Sequence, residues 1–84
     1  MREAEGRLRE IVAWVARAAP DAFGPDDDLT TRLGLDSLSS LRIAAAVERE
    51  FGVSIPDERL HDLRTLRKLL AAVEGPGGRD RTRA

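Results

Sequence analysis

The stretch that decides the fold is residues 33–60, which read LGLDSLSSLRIAAAVEREFGVSIPDERL. Asp36 is a preferred N-cap residue, so a helix is predicted from Ser37 to Phe51, and Gly52 is expected to end it. Pro56 keeps the residue before it out of helical conformation, which predicts an extended link at residues 53–56. One helical turn is predicted at residues 57–61. The stretch therefore predicts a well-delimited helix with Ser37 in its first turn.

Two further helices are predicted on either side of this stretch. Apolar residues at helical spacing form a stripe before Pro20, which is expected to end the first helix. A second stripe begins after Thr65, a capping residue, and is expected to stop at residues 75–78. The stripes consist of Leu8, Ile11, Val12, Val15 and Ala19, and of Leu66, Leu69, Leu70 and Val73. Trp14 lies at the edge of the first stripe and is predicted to be a half-buried core residue.

Residues 20–36 contain two prolines, two glycines and three consecutive aspartates, and show no helical period. They are predicted to be a long loop pinned to the core by apolar residues. The aspartates are interpreted as a solvated turn rather than a metal site. The fold class is therefore all-α, a small three-to-four-helix bundle with a long loop between its first two helices. Residues 1–75 are expected to form one domain, and residues 76–84 a disordered tail.

Composition excludes several classes of function. The 84 residues carry 14 basic and 15 acidic side chains, a net charge of −1, which argues against nucleic acid as the main partner. The absence of cysteine excludes disulfides and thiolate-ligated metals. No apolar run is long enough to span a membrane, and the charged N-terminus is unlike a signal peptide. A cytoplasmic location is the default expectation.

The predicted helix 37–51 has two apolar faces on a helical wheel. One face, with Ile43, Val47 and Phe51, suffices for the core. The other consists of Leu38, Leu41 and Ala45 and is flanked by the charged residues Arg42, Glu48 and Arg49. Either the loop 20–36 covers this second face or other proteins dock on it. The residues alone favour neither alternative.

Three roles are open to Ser37. A catalytic nucleophile would need a base, and the single histidine, His61, is far away in sequence, while the glycines of a nucleophile elbow are absent. Simple helix capping is the favoured role on the residues alone. A covalent acceptor is the third, because a phosphate on a serine in the first turn of a helix is stabilised by backbone N–H groups and the helix dipole.

The motif Gly34-Leu35-Asp36-Ser37-Leu38, followed by Phe51-Gly52-Val53 and Ile55-Pro56, resembles the centre of an acyl carrier protein. The resemblance implies that Ser37 carries a covalent 4′-phosphopantetheine arm, transferred from coenzyme A by a separate phosphopantetheinyl transferase with Mg²⁺. Asp36 would help the transferase to hold its metal and position the serine. The arm's thiol would hold an acyl or aminoacyl group as a thioester. The chain itself would be a carrier, not an enzyme, without catalytic residues or a metal site of its own.

The resemblance also implies a docking surface and the kinds of enzyme that bind it. Partner enzymes would bind Leu38, Leu41, Arg42, Ala45 and Arg49. They would be acyl-loading and acyl-processing enzymes, such as a ligase, an acyltransferase or a ketosynthase, acting on a monomeric carrier. The resemblance thereby favours docking over a covering loop for the second face of the helix.

The chain departs from the family in its charge. Carriers of bacterial fatty-acid synthesis are usually strongly acidic, whereas this chain places Ser39 and Arg42 where acids are common and Arg49 near the helix end. Because complementary charge selects partners, we expect a dedicated pathway, with polyketide or related natural-product biosynthesis as the leading candidate. The alternatives are a peptidyl carrier, which more often has a glycine at the position of Leu35, and an unmodified helical interaction domain.

Overall fold

The computed structural model describes residues 3–74 and confirms an all-helical fold within that range. Its elements in chain order are α1 (Glu3–Ala16), α2 (Leu29–Leu33), α3 (Ser37–Phe51), a 3₁₀ helix (Asp57–Asp62) and α4 (Leu66–Glu74). None of these helices is long and apolar enough to cross a membrane. The predicted helix stop at residues 75–78 and the predicted tail at residues 76–84 lie outside the described residues.

The core lies where α1 packs against both α3 and α4. Each helix buries one stripe, and the loop between α1 and α3 adds an aromatic ring and a leucine. The fully or nearly fully buried apolar side chains include Leu8, Val12, Phe23, Leu29, Ile43, Val47, Leu66, Leu69 and Val73. The stripes predicted for the first and last helices supply five of the buried side chains, namely Leu8, Val12, Leu66, Leu69 and Val73, and the burial of apolar side chains is the main stabilising term of the core.

Helix α3 has the ends that the sequence predicts. Asp36 caps its N-terminus, and Gly52 closes its C-terminus in the left-handed conformation, with φ of 68° and an N–H bond to the Glu48 carbonyl at 2.8 Å. The Glu48 carboxylate also accepts a hydrogen bond from the Ile55 N–H at 2.6 Å. That bond fastens the extended link after α3 to the helix, so the chain direction is fixed on both sides of the element that carries Ser37.

Helix α1 ends earlier than predicted, at Ala16, and Ala19 is exposed rather than part of the buried stripe. Arg17 adopts a left-handed conformation with φ of 59°, and the Ala18 N–H bonds back to the Ala13 carbonyl at 2.9 Å. The Arg17 N–H bonds to the Trp14 carbonyl at 3.3 Å. This pair of bonds is the usual closure of a helix C-terminus, but glycine normally occupies the left-handed position. The helix is therefore closed before Pro20 is reached.

The loop 20–36 is not wholly irregular, because it contains the short helix α2. The Asp28 carboxylate caps α2 by accepting hydrogen bonds from the N–H groups of Thr30 and Thr31 at 3.0 and 3.3 Å. Five residues are too few to show a helical period in the sequence, so the prediction of a loop without helix was wrong at this point.

Each of the three consecutive aspartates has a structural role. Asp26 forms a two-pronged pair with Arg67, with N–O distances of 2.6 and 2.9 Å. Asp27 accepts a hydrogen bond from the Gly24 N–H at 2.7 Å, and Asp28 pairs with Arg64 at 3.1 Å in addition to capping α2. The acidic run therefore fastens the loop to itself and to the segment that leads into α4.

Candidate functional site

A tight turn between α2 and α3 places Ser37 at the surface. Gly34 ends α2 in the left-handed conformation, with φ of 67°, and a Cβ built on it would meet no atom within 4 Å. Backbone conformation, not space, is thus the reason for glycine at this position. The Leu35 N–H bonds to the Thr30 carbonyl at 3.1 Å, and the half-buried Leu35 side chain packs against the core. Only Asp36 then separates this anchored residue from Ser37.

Asp36, not Ser37, caps α3. The Asp36 carboxylate accepts a hydrogen bond from the Ser39 N–H at 2.8 Å through Oδ1. This bond, supported by the Ser39 side chain and weakly by the charge of Arg42, holds the pKa of Asp36 below its ordinary value. Asp36 is therefore ionised at neutral pH. Ser37 is exposed, and its hydroxyl makes no hydrogen bond to any other described residue, so capping does not account for it.

An open groove of about 580 Å³ runs from Ser37 along the boundary between α3 and the 3₁₀ helix. Its lining is mixed, with apolar Leu41 and Leu60 beside polar Ser40, His61 and Arg64. His61 thus shares the groove with Ser37, which sequence separation did not predict, although no hydrogen bond joins the two among the described residues. The groove gives a chain attached at Ser37 a surface to lie on.

Below this groove the core is closely packed. The cavity that borders the groove on its core side measures only about 30 Å³. Ile43, Ile55 and Leu69 are among the side chains around it. The described fold therefore contains no ready-made chamber for a long acyl chain in this region, and such a chain would have to displace core side chains.

The second face of α3 is open to solvent. Leu38 and Leu41 are 57% and 43% exposed, and Ala45, Arg42 and Arg49 are exposed as well. The loop 20–36 does not cover them, because its apolar side chains Phe23 and Leu29 are buried in the core instead. We call Leu38, Leu41, Arg42, Ala45 and Arg49 the α3 face. All five candidate residues therefore lie on one accessible surface, next to Ser37.

The prediction that Trp14 is a half-buried core residue was wrong, since its side chain is 81% exposed. The α3 residues that line the two depressions beside the indole are Arg42, Ala46 and Glu50, which offer no large apolar side chain to cover it. Wheel position alone placed Trp14 beside the stripe. Finding its exposure from the sequence would have required knowing which residues of α3 it faces.

Comparison with known proteins agrees with this geometry. The sequence profile of the family described as "Phosphopantetheine attachment site" matches residues 6–73. An acyl carrier protein of Thermobifida fusca is 34% identical over 67 residues, covering 80% of this chain and 85% of that protein. An acyl carrier protein of Streptomyces coelicolor is 36% identical over 76 residues, covering 84% and 83%. A meromycolate extension acyl carrier protein of Mycolicibacterium aurum is 37% identical over 67 residues, covering 80% and 69%.

The family match spans nearly all of the described helices, from α1 to α4, and includes the turn that presents Ser37. Members of this family are modified by a phosphopantetheinyl transferase and interact with acyl-handling enzymes. The chain belongs to the acyl carrier proteins, the family of helical carriers whose covalent cofactor is 4′-phosphopantetheine.

Proposed function

We propose that Ser37 is the residue that carries the 4′-phosphopantetheine arm. The observation that supports this most strongly is the exposed, unpaired hydroxyl of Ser37 at the start of α3, directly after the capping carboxylate. The N–H groups of the first helical turn and the positive end of the helix dipole stabilise a phosphate attached there. The arm, once attached, supplies a thiol that holds acyl groups as thioesters.

The chain's own residues present the serine rather than activate it. Gly34 and Leu35 fix the turn, and the exposed, ionised Asp36, which engages Ser39 through Oδ1, would help the transferase to hold its metal ion. No base is hydrogen-bonded to Ser37 among residues 3–74, as an intrinsic nucleophile would require. We infer that the chain is a carrier without catalysis of its own and that the modifying enzyme supplies the base.

Intact mass tests this assignment. The wild-type protein, incubated with a broad-specificity phosphopantetheinyl transferase, coenzyme A and Mg²⁺, is expected to gain the mass of one arm. Ser37→Ala is expected to gain none, whereas Ser40→Ala, one turn further along α3, is expected to gain it as the wild type does. Modification of Ser37→Ala at the wild-type rate would refute the role of Ser37.

We further infer that the α3 face is where partner enzymes bind to reach the arm. Leu38 and Leu41 supply exposed apolar area next to Ser37, and Arg42 and Arg49 supply charge at its margin. An apolar centre with a charged rim is the usual anatomy of a protein interface. Leu41→Ala is expected to slow acyl transfer to the arm while leaving the fold intact.

The charge of this surface supports a dedicated pathway, of which polyketide or related natural-product biosynthesis is the leading candidate. The face carries arginines at positions 42 and 49, and the whole chain has a net charge of only −1. An enzyme surface that selects strongly acidic carriers is basic and would be repelled by these arginines, which lowers the association rate and the affinity. The relatives include both general acyl carriers and a meromycolate extension carrier, so the family alone leaves the pathway open.

Charge reversal tests the selection of partners. Arg42→Glu is expected to raise kcat/KM with a fatty-acid-synthase acyltransferase and to lower it with the loading enzyme of the native host. Lys68→Glu makes the same charge change on α4 and is the matched control. If kcat/KM with both enzymes is the same for Arg42→Glu and Lys68→Glu, charge at position 42 does not select partners.

A further inference from the structure

Trp14 is the most exposed large apolar side chain in the described part of the protein, and it stands at the junction of α1 and α3. One surface depression beside the indole is lined by Arg17, Ala18 and Arg42, and a second by Ile11, Ala46 and Glu50. Exposing an indole to water carries a free-energy cost that burial against a partner would recover. Tryptophan in such a position is the residue type most often found at the energetic centre of an interface.

The backbone next to Trp14 holds an unusual residue. Arg17 occupies the left-handed position that closes α1, where glycine would avoid the steric conflict of a Cβ. Its side chain forms no ion pair or hydrogen bond with the rest of residues 3–74. The two backbone bonds that close α1 account for the left-handed conformation but not for an arginine in it, and an arginine there without a paired contact points to a function for the side chain.

Two of the cations around Trp14, Arg17 and Arg42, are unpaired, whereas Arg7 in the second depression pairs with Glu50. Five arginines pair with carboxylates of this chain: Arg7, Arg9, Arg32, Arg64 and Arg67. Arg17, Arg42, Arg49 and Arg59 have no such partner within residues 3–74. Two of these four, Arg17 and Arg42, line the same depression as Trp14. The surface therefore offers guanidinium groups that are free to bind carboxylates of another molecule.

This surface continues the α3 face, since Arg42 belongs to both. A stable protein interface buries about 800 Å² on each partner, which is more than three small or half-exposed apolar side chains of α3 can supply. Extending the contact area across Arg42 to Trp14 adds the largest exposed apolar side chain next to that face.

We propose that Trp14, Arg17 and Arg42 form a second docking surface, which binds the enzyme that loads acyl groups onto the arm. The partner's contact surface presents carboxylates around an apolar recess that receives the indole. The inference rests on the proposed carrier function. Charge disfavours two other occupants: residues 75–84 contain three arginines and one aspartate, and a second copy would bring the same unpaired arginines.

Trp14 is the single tryptophan of the chain, which makes it a reporter of its own contacts. The holo-protein is prepared with 5-fluorotryptophan, and its one ¹⁹F resonance is followed during titration with the acyl-loading enzyme. That enzyme is obtained from the native host by its transfer of an acyl group to the wild-type holo-protein. A shift of the resonance with protection from solvent is expected on binding. An unchanged resonance at saturation would overturn the proposal.

Loading kinetics provide the second measurement. Trp14→Ala is expected to lower kcat/KM for loading by about tenfold or more, as for an interface hot spot. Arg17→Gly is expected to lower it about threefold or more, although glycine fits the backbone better. Lys68→Ala, an exposed cation on α4, is the control and is expected to be unchanged. Values within twofold of wild type for both Trp14→Ala and Arg17→Gly would refute the second docking surface.

Two further outcomes would also overturn the proposal. A shifted ¹⁹F resonance after deletion of residues 75–84 would assign the surface to the chain's own C-terminus. A resonance that depends on protein concentration without added enzyme would assign it to a second copy. Normal gain of the arm at Ser37 in all variants keeps a failure here separate from a failure of the carrier function.

Discussion

The connecting loop (residues 20–36) and the outer surface of α3 reverse the roles that such elements usually have. The loop is mostly irregular, yet Phe23 and Leu29 are buried and the Asp26 and Asp28 carboxylates are paired. The outer surface of α3 is regular helix, yet it leaves Leu38 and Leu41 in solvent. Connecting loops are usually mobile and carry function. Here the loop stabilises the bundle, and the helix presents the candidate functional residues.

The difference between the two regions follows from the partners of their hydrogen bonds. The loop is joined to α4 and to the segment before it by backbone hydrogen bonds, from the Leu29 N–H to the Arg64 carbonyl at 2.7 Å and from the Arg67 N–H to the Pro25 carbonyl at 3.0 Å. The Arg9 side chain adds bonds to the carbonyls of Pro20 and Phe23 at 2.8 and 2.6 Å, and its guanidinium lies 5.1 Å from the centre of the Phe23 ring. Helix α3 satisfies its backbone internally, so its outer side chains are free to bind other molecules.

The largest expected effect comes from comparing two side-chain truncations, one in the loop and one on α3. Phe23→Ala removes a buried ring from the loop and is expected to lower the free energy of unfolding by about 3–5 kcal/mol. Leu41→Ala on α3 is expected to lower it by about 1 kcal/mol or less, because the side chain is already partly solvated. Urea denaturation followed by circular dichroism measures both. Equal losses would contradict the assignment of stability to the loop.

A smaller effect is expected from the cap of α2. Asp28→Ala removes the acceptor for two N–H groups and the pair with Arg64, and should cost about 1 kcal/mol of unfolding free energy. Asp21→Ala removes an exposed carboxylate of the same loop and is the control, with an expected change within about 0.5 kcal/mol. If the two variants unfold at the same urea concentration, the Asp28 contacts do not stabilise the loop.

Arg17→Gly is expected to act in the opposite direction. Relief of the left-handed conformation should raise the unfolding free energy by roughly 0.5–1 kcal/mol. Arg17→Ala retains a Cβ and serves as the comparison, with little change expected. A glycine variant that is less stable than the alanine variant would show that the Arg17 backbone is not strained.

The smallest expected effect is the dependence of stability on pH that comes from Asp36. Because the pKa of Asp36 is lowered in the fold, chiefly by the Ser39 N–H, its stabilising contribution is present above the carboxyl's ordinary pKa and is lost as pH falls through the lowered value. Asp36→Asn retains a cap without titrating. When the pH is lowered from 7 to 3, the urea midpoint of the wild type should therefore fall more than that of Asp36→Asn. A difference that does not vary with pH would contradict the lowered pKa.

Much of the fold was predictable because key residues specify it locally. Asp36 and Gly52 defined both ends of α3, and the stripes Leu8–Val12 and Leu66–Val73 supplied core positions. The end of α1 was not predictable, because an arginine occupies the position at which a glycine would have signalled it. Helix α2 was missed because its stabilisation comes from one carboxylate, not from a periodic pattern.

The candidate site likewise contains features that could be predicted from the sequence and features that could not. The Asp36 cap and the position of Ser37 in the first turn of α3 follow from local chemistry, and the sequence placed them correctly. The exposure of Trp14 depends on Ala46 lying across from it, which is a tertiary relation. The assignment of the acidic run to loop anchoring likewise depends on arginines about forty positions away.

The proposed carrier function requires that a single hydroxyl receives the arm, and tandem mass spectrometry of the modified protein identifies that hydroxyl. Trypsin releases residues 33–42 as one peptide that contains Ser37, Ser39 and Ser40. Fragmentation after incubation with the transferase, coenzyme A and Mg²⁺ is predicted to place the phosphopantetheine on Ser37 alone. An arm on Ser39 or Ser40, or an unmodified peptide after treatment that fully modifies a known carrier protein, would contradict the account.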